Sequence, residues 1–140
     1  MVNALFSIRP PYADAILRGD KRVEFRKHAC KRPVTRMFIY ATKPIASIVG
    51  EAAVTKVLSR PPSDLWELTH AYAGISEDRF DRYFDGCEQA CAYFLTRPMR
   101  YQGPIALDRL GIWRPPQSFC YLSEDQAEMI LRDQTLYDPG

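Results

Sequence analysis

No stretch of the chain approaches the ~20 consecutive apolar residues that a membrane-spanning helix needs. The longest strongly apolar segment, Ile45–Val54, is broken by Ser47, Gly50 and Glu51, so a helical membrane protein is excluded. The opening Met-Val-Asn-Ala-Leu-Phe-Ser-Ile lacks a basic segment followed by a long apolar one; no secretory signal is expected, and a cytoplasmic location is. Repeats and low-complexity tracts are also missing. Metal-binding residues are sparse and scattered: Cys87-x3-Cys91 falls at a helix-to-strand transition, and Cys30, Cys120, His28 and His70 lie far from it in sequence. Neither a zinc site nor any other metal or cofactor is expected, and four thiols in a reducing compartment are expected to stay free.

What is present describes one folded domain spanning 1–140. Hydrophobic residues make up 46% and charged residues 26% of the 140, close to average globular usage. The net charge of +2 conceals a division, because residues 1–60 carry 12 Lys+Arg against 4 Asp+Glu and residues 61–140 carry 7 against 13. A half at +8 and a half at −6 point to one face suited to a polyanion.

The patterning predicts a strand at Ala4–Ile8, then a helix begun by Pro10-Pro11, with Tyr12, Ala13, Ile16 and Leu17 at helical spacing and Gly19 as its C-terminal cap. Arg22–Arg26 reads as a strand with Val23 and Phe25 on one face and Glu24 and Arg26 on the other. Thr35–Tyr40 and Ile45–Leu58 are further strands, the second bent or bulged at Gly50. After Pro61-Pro62 come two helices: one capped by Ser63 or Asp64 and closed by Gly74, one capped by Ser76 and ended by Gly86. Strands at Ala90–Tyr101, Ile105–Ile112 and Ser118–Leu122 follow, then a helix Glu124–Leu131 capped by Ser123. This order favours an α+β fold, a small mixed or antiparallel sheet or barrel.

The paired helices of Asp64–Asp85 have a helix-turn-helix outline. Glu77, Asp78, Asp81 and Asp85 outnumber Arg79 and Arg82 on the second helix, so it is expected to pack on the sheet as a helical hairpin and not to read DNA. Between Arg18 and Arg36, by contrast, eight cations (Arg18, Lys21, Arg22, Arg26, Lys27, Lys31, Arg32, Arg36) are interrupted by two acids. That is the electrostatic footprint of a nucleic-acid binder.

Within this basic segment, Gly19-x-Lys21-x-x-Glu24-x-Arg26 follows the run Ser7-Ile8-Arg9-Pro10-Pro11-Tyr12-Ala13. The motif at a helix-to-strand junction, with the later Arg114-Pro-Pro-Gln-Ser-Phe-Cys-Tyr-Leu-Ser123, resembles the ASCH family over roughly residues 3–130. The resemblance implies a PUA-like fold, a small β-barrel with helices over its openings, and a nucleic-acid cleft near the motif. Family members are similar to RNA-binding domains and to readers of modified bases; some hydrolyse N4-acetylcytidine, some are reported as ribonucleases, and many are described as regulators. The threonine associated with acetylcytidine hydrolysis, three residues after the motif lysine, is Glu24 here, and the later segment His70–Ser76 offers no acid before Glu77.

The expected function is therefore binding of RNA or single-stranded nucleic acid, with a cleft accepting a base or a modified nucleoside. The carboxylate of Glu24 would accept from an exocyclic amine, Arg26 would fork onto base acceptors and Lys21 would take a phosphate. Lys27, Lys31 and Arg32 would hold the backbone, Tyr12, Tyr40 and Tyr93 would stack on bases, and Arg9, Thr42, Lys43, Gln117 and Ser118 are placed at the same cleft by likeness to the family. The alternative is a hydrolase on a modified nucleoside or on RNA, with Lys21 and Glu24 as the acid–base pair.

Overall fold

A computed structural model describes residues 1–136. The chain runs β1 (Asn3–Ile8), α1 (Pro10–Arg18), β2 (Val23–Arg26), β3 (Arg36–Ala41), β4 (Ser47–Arg60), α2 (Pro62–Thr69), a 3-10 turn at His70–Tyr72, α3 (Glu77–Tyr83), β5 (Ala90–Ile105), a second 3-10 turn at Leu107–Leu110, β6 (Phe119–Leu122) and α4 (Glu124–Leu136). The six strands form one curled half-barrel sheet in the order β2-β5-β4-β3-β1-β6. Only β1 and β3 pair in parallel; every other neighbouring pair is antiparallel.

Both faces of the sheet are buried, which accounts for strands that are apolar on both sides. On one face Ala4, Phe6 and Ile8 of β1, Met37, Ile39 and Ala41 of β3 and Tyr93 of β5 pack with Ala13, Ile16 and Leu17 of α1. On the other face two separate helical covers are used. Leu5, Phe38 and Tyr40 meet Ala127 and Ile130 of α4 and Leu107 and Leu110. Val23 and Phe25 of β2 meet Leu65, Phe80 and Phe84 of the α2–α3 hairpin.

The expected bulge at Gly50 is present, since the register of β4 shifts between Ile48 and Gly50. A Cβ there would stand 2.5 Å from the Met99 carbonyl oxygen and 2.6 Å from Leu17 Cδ2, so only glycine lets β4 and β5 pair this closely under α1. The α4 start is a capping box: the Ser123 hydroxyl accepts from the Gln126 amide, and the Gln126 side-chain oxygen accepts from the Ser123 amide.

Several expectations are corrected. Ile105–Ile112 is not a strand: β5 runs on to Ile105, and Leu107–Leu110 winds into a 3-10 turn whose apolar residues three apart share one side. Neither Ser63 nor Asp64 caps α2; the cap position is Pro61, two residues before Ser63, and it makes no side-chain cap hydrogen bond. The expected α+β, barrel-like fold is present as a curled half-barrel, with β2 and β6 as its two edges. α4 reaches Leu136, five residues beyond its expected end. Among the described residues no helix is long and apolar enough to cross a membrane.

Candidate functional site

Gly19 ends α1 in the left-handed conformation, and the amides of Asp20 and Lys21 both bond to the Ala15 carbonyl. The Arg22 amide bonds to the Tyr72 carbonyl and the Arg22 carbonyl receives the Leu95 amide. This short connector is thereby fixed on three sides, and it turns Lys21 inward before β2 begins.

Lys21 is 2% exposed. Its Nζ donates to the Ala73 carbonyl oxygen at 2.7 Å and lies 5.0 Å from the Phe25 ring centroid and 5.5 Å from that of Tyr12. An ammonium has three donors, and the other two have no protein partner among the described residues. Burial pushes the Lys21 pKa below the ordinary lysine value; the Glu24 carboxylate opposes that shift and Arg26 adds to it. Gly74 closes over the lysine stem at φ +69°, where a Cβ would come within 2.5 Å of Lys21 Cβ.

On β2 the alternation places Glu24 and Arg26 on the face opposite Val23 and Phe25, across from Tyr93 and Cys91 of β5. Arg26 Nε and Nη2 both donate to Glu24 Oε2, at 3.1 and 2.8 Å. Nη2 also donates to the Ser7 carbonyl at 2.9 Å, and Nη1 donates to the Ser118 carbonyl and hydroxyl at 3.2 and 2.9 Å. All five guanidinium donors are engaged, and Cζ lies 4.9 Å from the Phe6 ring centroid. The guanidinium thus bridges the gap between edge strand β2 and the β1–β6 side of the sheet, doing with a side chain what strand pairing does not do. Glu24 Oε1, in contrast, has no hydrogen-bond partner among the described residues.

These groups floor an open cleft of about 790 Å³. Of the sequence-predicted residues, Arg9, Tyr12, Lys21, Glu24, Arg26, Thr42 and Gln117 line it. Ser118 holds Arg26. Lys27 is exposed beside the cleft, its Nζ 5.2 Å from the ring of Tyr83, itself a cleft residue. Lys31 and Arg32 are exposed on the loop joining β2 to β3, with Arg32 over the Tyr121 ring at 4.8 Å. Lys43 is exposed just past β3. The tyrosine hydroxyls of Tyr93 and Tyr121 accept the Cys30 and Arg32 amides at 2.6 and 2.9 Å, which ties this basic loop to the barrel.

Two expectations do not survive. Tyr40 and Tyr93 are buried in the cores on opposite faces of the sheet and offer no ring face to a base. The free fork expected of Arg26 is fully engaged with protein acceptors, leaving Lys21 and Glu24 Oε1 as the donor and acceptor available at the floor. The structure also brings in Arg79, Arg82 and Tyr83, which the sequence reading missed. The hairpin does pack on the sheet, but its net acidity hides a segregation: Arg79 and Arg82, three apart, share the cleft-facing side of α3. Arg79 donates to the Tyr12 hydroxyl at 2.9 Å. Among the described residues no group of three or more His, Cys, Asp or Glu side chains is placed to hold a metal ion.

Comparison with known proteins agrees with this architecture. A protein of Zymomonas mobilis described as an ASCH domain-containing ribonuclease is 33% identical over 136 residues, which cover 92% of this chain and 90% of the relative. The crystal structure of ASCH from Zymomonas mobilis superposes with a TM-score of 0.86 at 32% identity, covering 93% of this chain and 94% of that one. The N-terminal domain of Staphylothermus marinus McrB shares the fold at 14% identity, with a TM-score of 0.60 and 93% of each chain covered. The α+β, PUA-like architecture is that of these structures. The ASCH domain model matches residues 6–102, and the chain belongs to the ASCH domain family.

Proposed function

We propose that the protein binds single-stranded RNA through this cleft and takes one unpaired nucleotide into it. The observation that carries the reading is a single juxtaposition: Arg9, Arg79 and Arg82 on the walls of the cleft, and a buried ammonium beside a half-satisfied carboxylate at its floor. The volume lies within the range of small-molecule sites, about 300–1,000 Å³. Arginines fork onto phosphates, while Glu24 Oε1 and Gln117 supply an acceptor and an amide for a base edge. A buried floor is reached only by an unstacked base, which favours single strands over duplex. The likeness to a relative described as a ribonuclease supports RNA as the polymer.

Titration of a fluorescent single-stranded RNA 12-mer at 50 and 200 mM salt tests this. Engagement of about four phosphates predicts a slope near −2.8 on a log–log plot, and so roughly a 50-fold loss of affinity over that interval. Absence of binding at the lower salt, or affinity indifferent to salt, overturns the reading.

A second reading is favoured by the Lys21 environment. A lysine whose pKa is lowered by burial, within electrostatic reach of a carboxylate, is suited to acid–base work on RNA or on an acylated nucleoside. Incubation of the 12-mer, and separately of N4-acetylcytidine, decides it: product formed by the native protein and absent with Lys21→Met supports hydrolysis, and no product at high protein concentration removes it.

A further inference from the structure

Trp113 is 81% exposed, more than any other large hydrophobic side chain among the described residues. The other tryptophan, Trp66, packs against Phe80 with ring centroids 4.9 Å apart. An indole left in water forgoes the burial of a large apolar area, and here it stands alone: no second exposed large apolar residue accompanies it between Gly111 and Leu122. A protein-docking patch needs a contiguous apolar surface, whereas one ring face is what a single base needs.

The segment carrying it is anchored at both ends. The Gly111 and Ile112 amides bond back to the carbonyls of the preceding 3-10 turn. The Pro116 carbonyl accepts the Ser7 hydroxyl at 2.6 Å, and Ser118 is locked onto Arg26. Pro115 and Pro116 stiffen the span between. Gln117 lines the cleft, and four residues reach at most about 14 Å, so the indole lies within a short nucleotide span of the cleft rim. Arg114, next to it, is exposed and makes no side-chain hydrogen bond or ion pair among the described residues.

We infer that Trp113 and Arg114 form a second nucleotide subsite, outside the cleft. The indole stacks on a base of the strand that leaves the cleft past Gln117, and Arg114 takes the phosphate between the two nucleotides. This rests on the cleft being an RNA site. Ordering the strand against a pre-anchored segment costs the protein little conformational entropy.

Tryptophan emission and fluorescence anisotropy with a labelled single-stranded RNA hexamer test the assignment together. The hexamer is expected to quench the native emission. In Trp113→Phe the remaining Trp66 signal should not respond, while affinity stays near native because a ring is kept. Trp113→Ala should lose at least about 5-fold in affinity with its melting temperature unchanged, since the side chain is exposed. Hexamer binding with unchanged emission and equal affinity for Trp113→Ala overturns the subsite and leaves the cleft reading standing. No binding to the native protein overturns both. Loss of self-association in Trp113→Ala with native hexamer affinity also overturns it, by assigning the indole to a protein contact.

Discussion

Removing Arg26 isolates the device that holds the site together. In Arg26→Ala the Glu24 carboxylate, whose side chain is 10% exposed, keeps its charge and loses both donors to Oε2, while Ser7 and Ser118 lose the bridge across the gap between β2 and β1–β6. Breaking a buried ion pair by deleting one partner costs about 3–5 kcal/mol. For a domain this size each kcal/mol is worth roughly 3–5 °C, so the melting temperature should fall by about 9–25 °C. Glu24→Gln in the same background removes the stranded charge, and the double variant should recover at least about 2 kcal/mol relative to additivity. Urea unfolding at pH 7 measures both effects. A loss under about 1 kcal/mol at pH 7, or strict additivity of the two substitutions, would show that the guanidinium is not a structural bridge.

Gly74→Ala combines a left-handed φ with a Cβ 2.5 Å from the Lys21 stem; a loss of about 2–5 kcal/mol in urea unfolding is expected, and a loss below about 1 kcal/mol would contradict the packing. Lys21→Met keeps the buried stem and deletes the charge. In the native protein the lowered folded pKa means the unfolded chain binds more protons between that value and 10.5, so the Lys21 contribution to stability rises with pH across that window. The native-minus-variant difference should show this slope, and RNA affinity should drop although stability at pH 7 is equal or higher. Reversing charge at Lys27 and Lys31 should weaken RNA binding by a similar factor for every sequence and flatten the salt slope. Glu24→Gln should instead alter base preference at constant slope, as measured with homopolymeric 12-mers.

Local pattern made much of this legible. The alternation of β2 gave the shared face of Glu24 and Arg26, the glycine at position 50 gave the bulge, and Ser76 and Ser123 gave two helix starts, because each depends on neighbours a few residues away. The role of Arg26 was not legible, since its acceptors Ser7 and Ser118 lie 19 and 92 residues distant. Tyr40 and Tyr93 were open to a stacking role only because strands covered on both faces give no sign of which rings remain exposed. On α3 the summed charge concealed the two arginines; their three-residue spacing was the available signal. Leu107 and Leu110 fit a strand poorly for the same reason, their spacing being that of a 3-10 turn.

The cleft gathers Ser7 and Arg9 from the beginning of the chain, Lys21 to Thr42 from its first third, Arg79 and Arg82 from the middle, and Gln117 from near the end. During synthesis the basic segment leaves the ribosome some seventy-five residues or more before Gln117, as read from their positions. Until that residue and Ser118 arrive, Arg26 lacks the Ser118 half of its bridge and has only the Ser7 carbonyl across the gap. The cleft is therefore complete only when Gln117 and Ser118 have folded back onto the segment that holds Lys21, Glu24 and Arg26, so its assembly depends on contacts between residues some ninety positions apart.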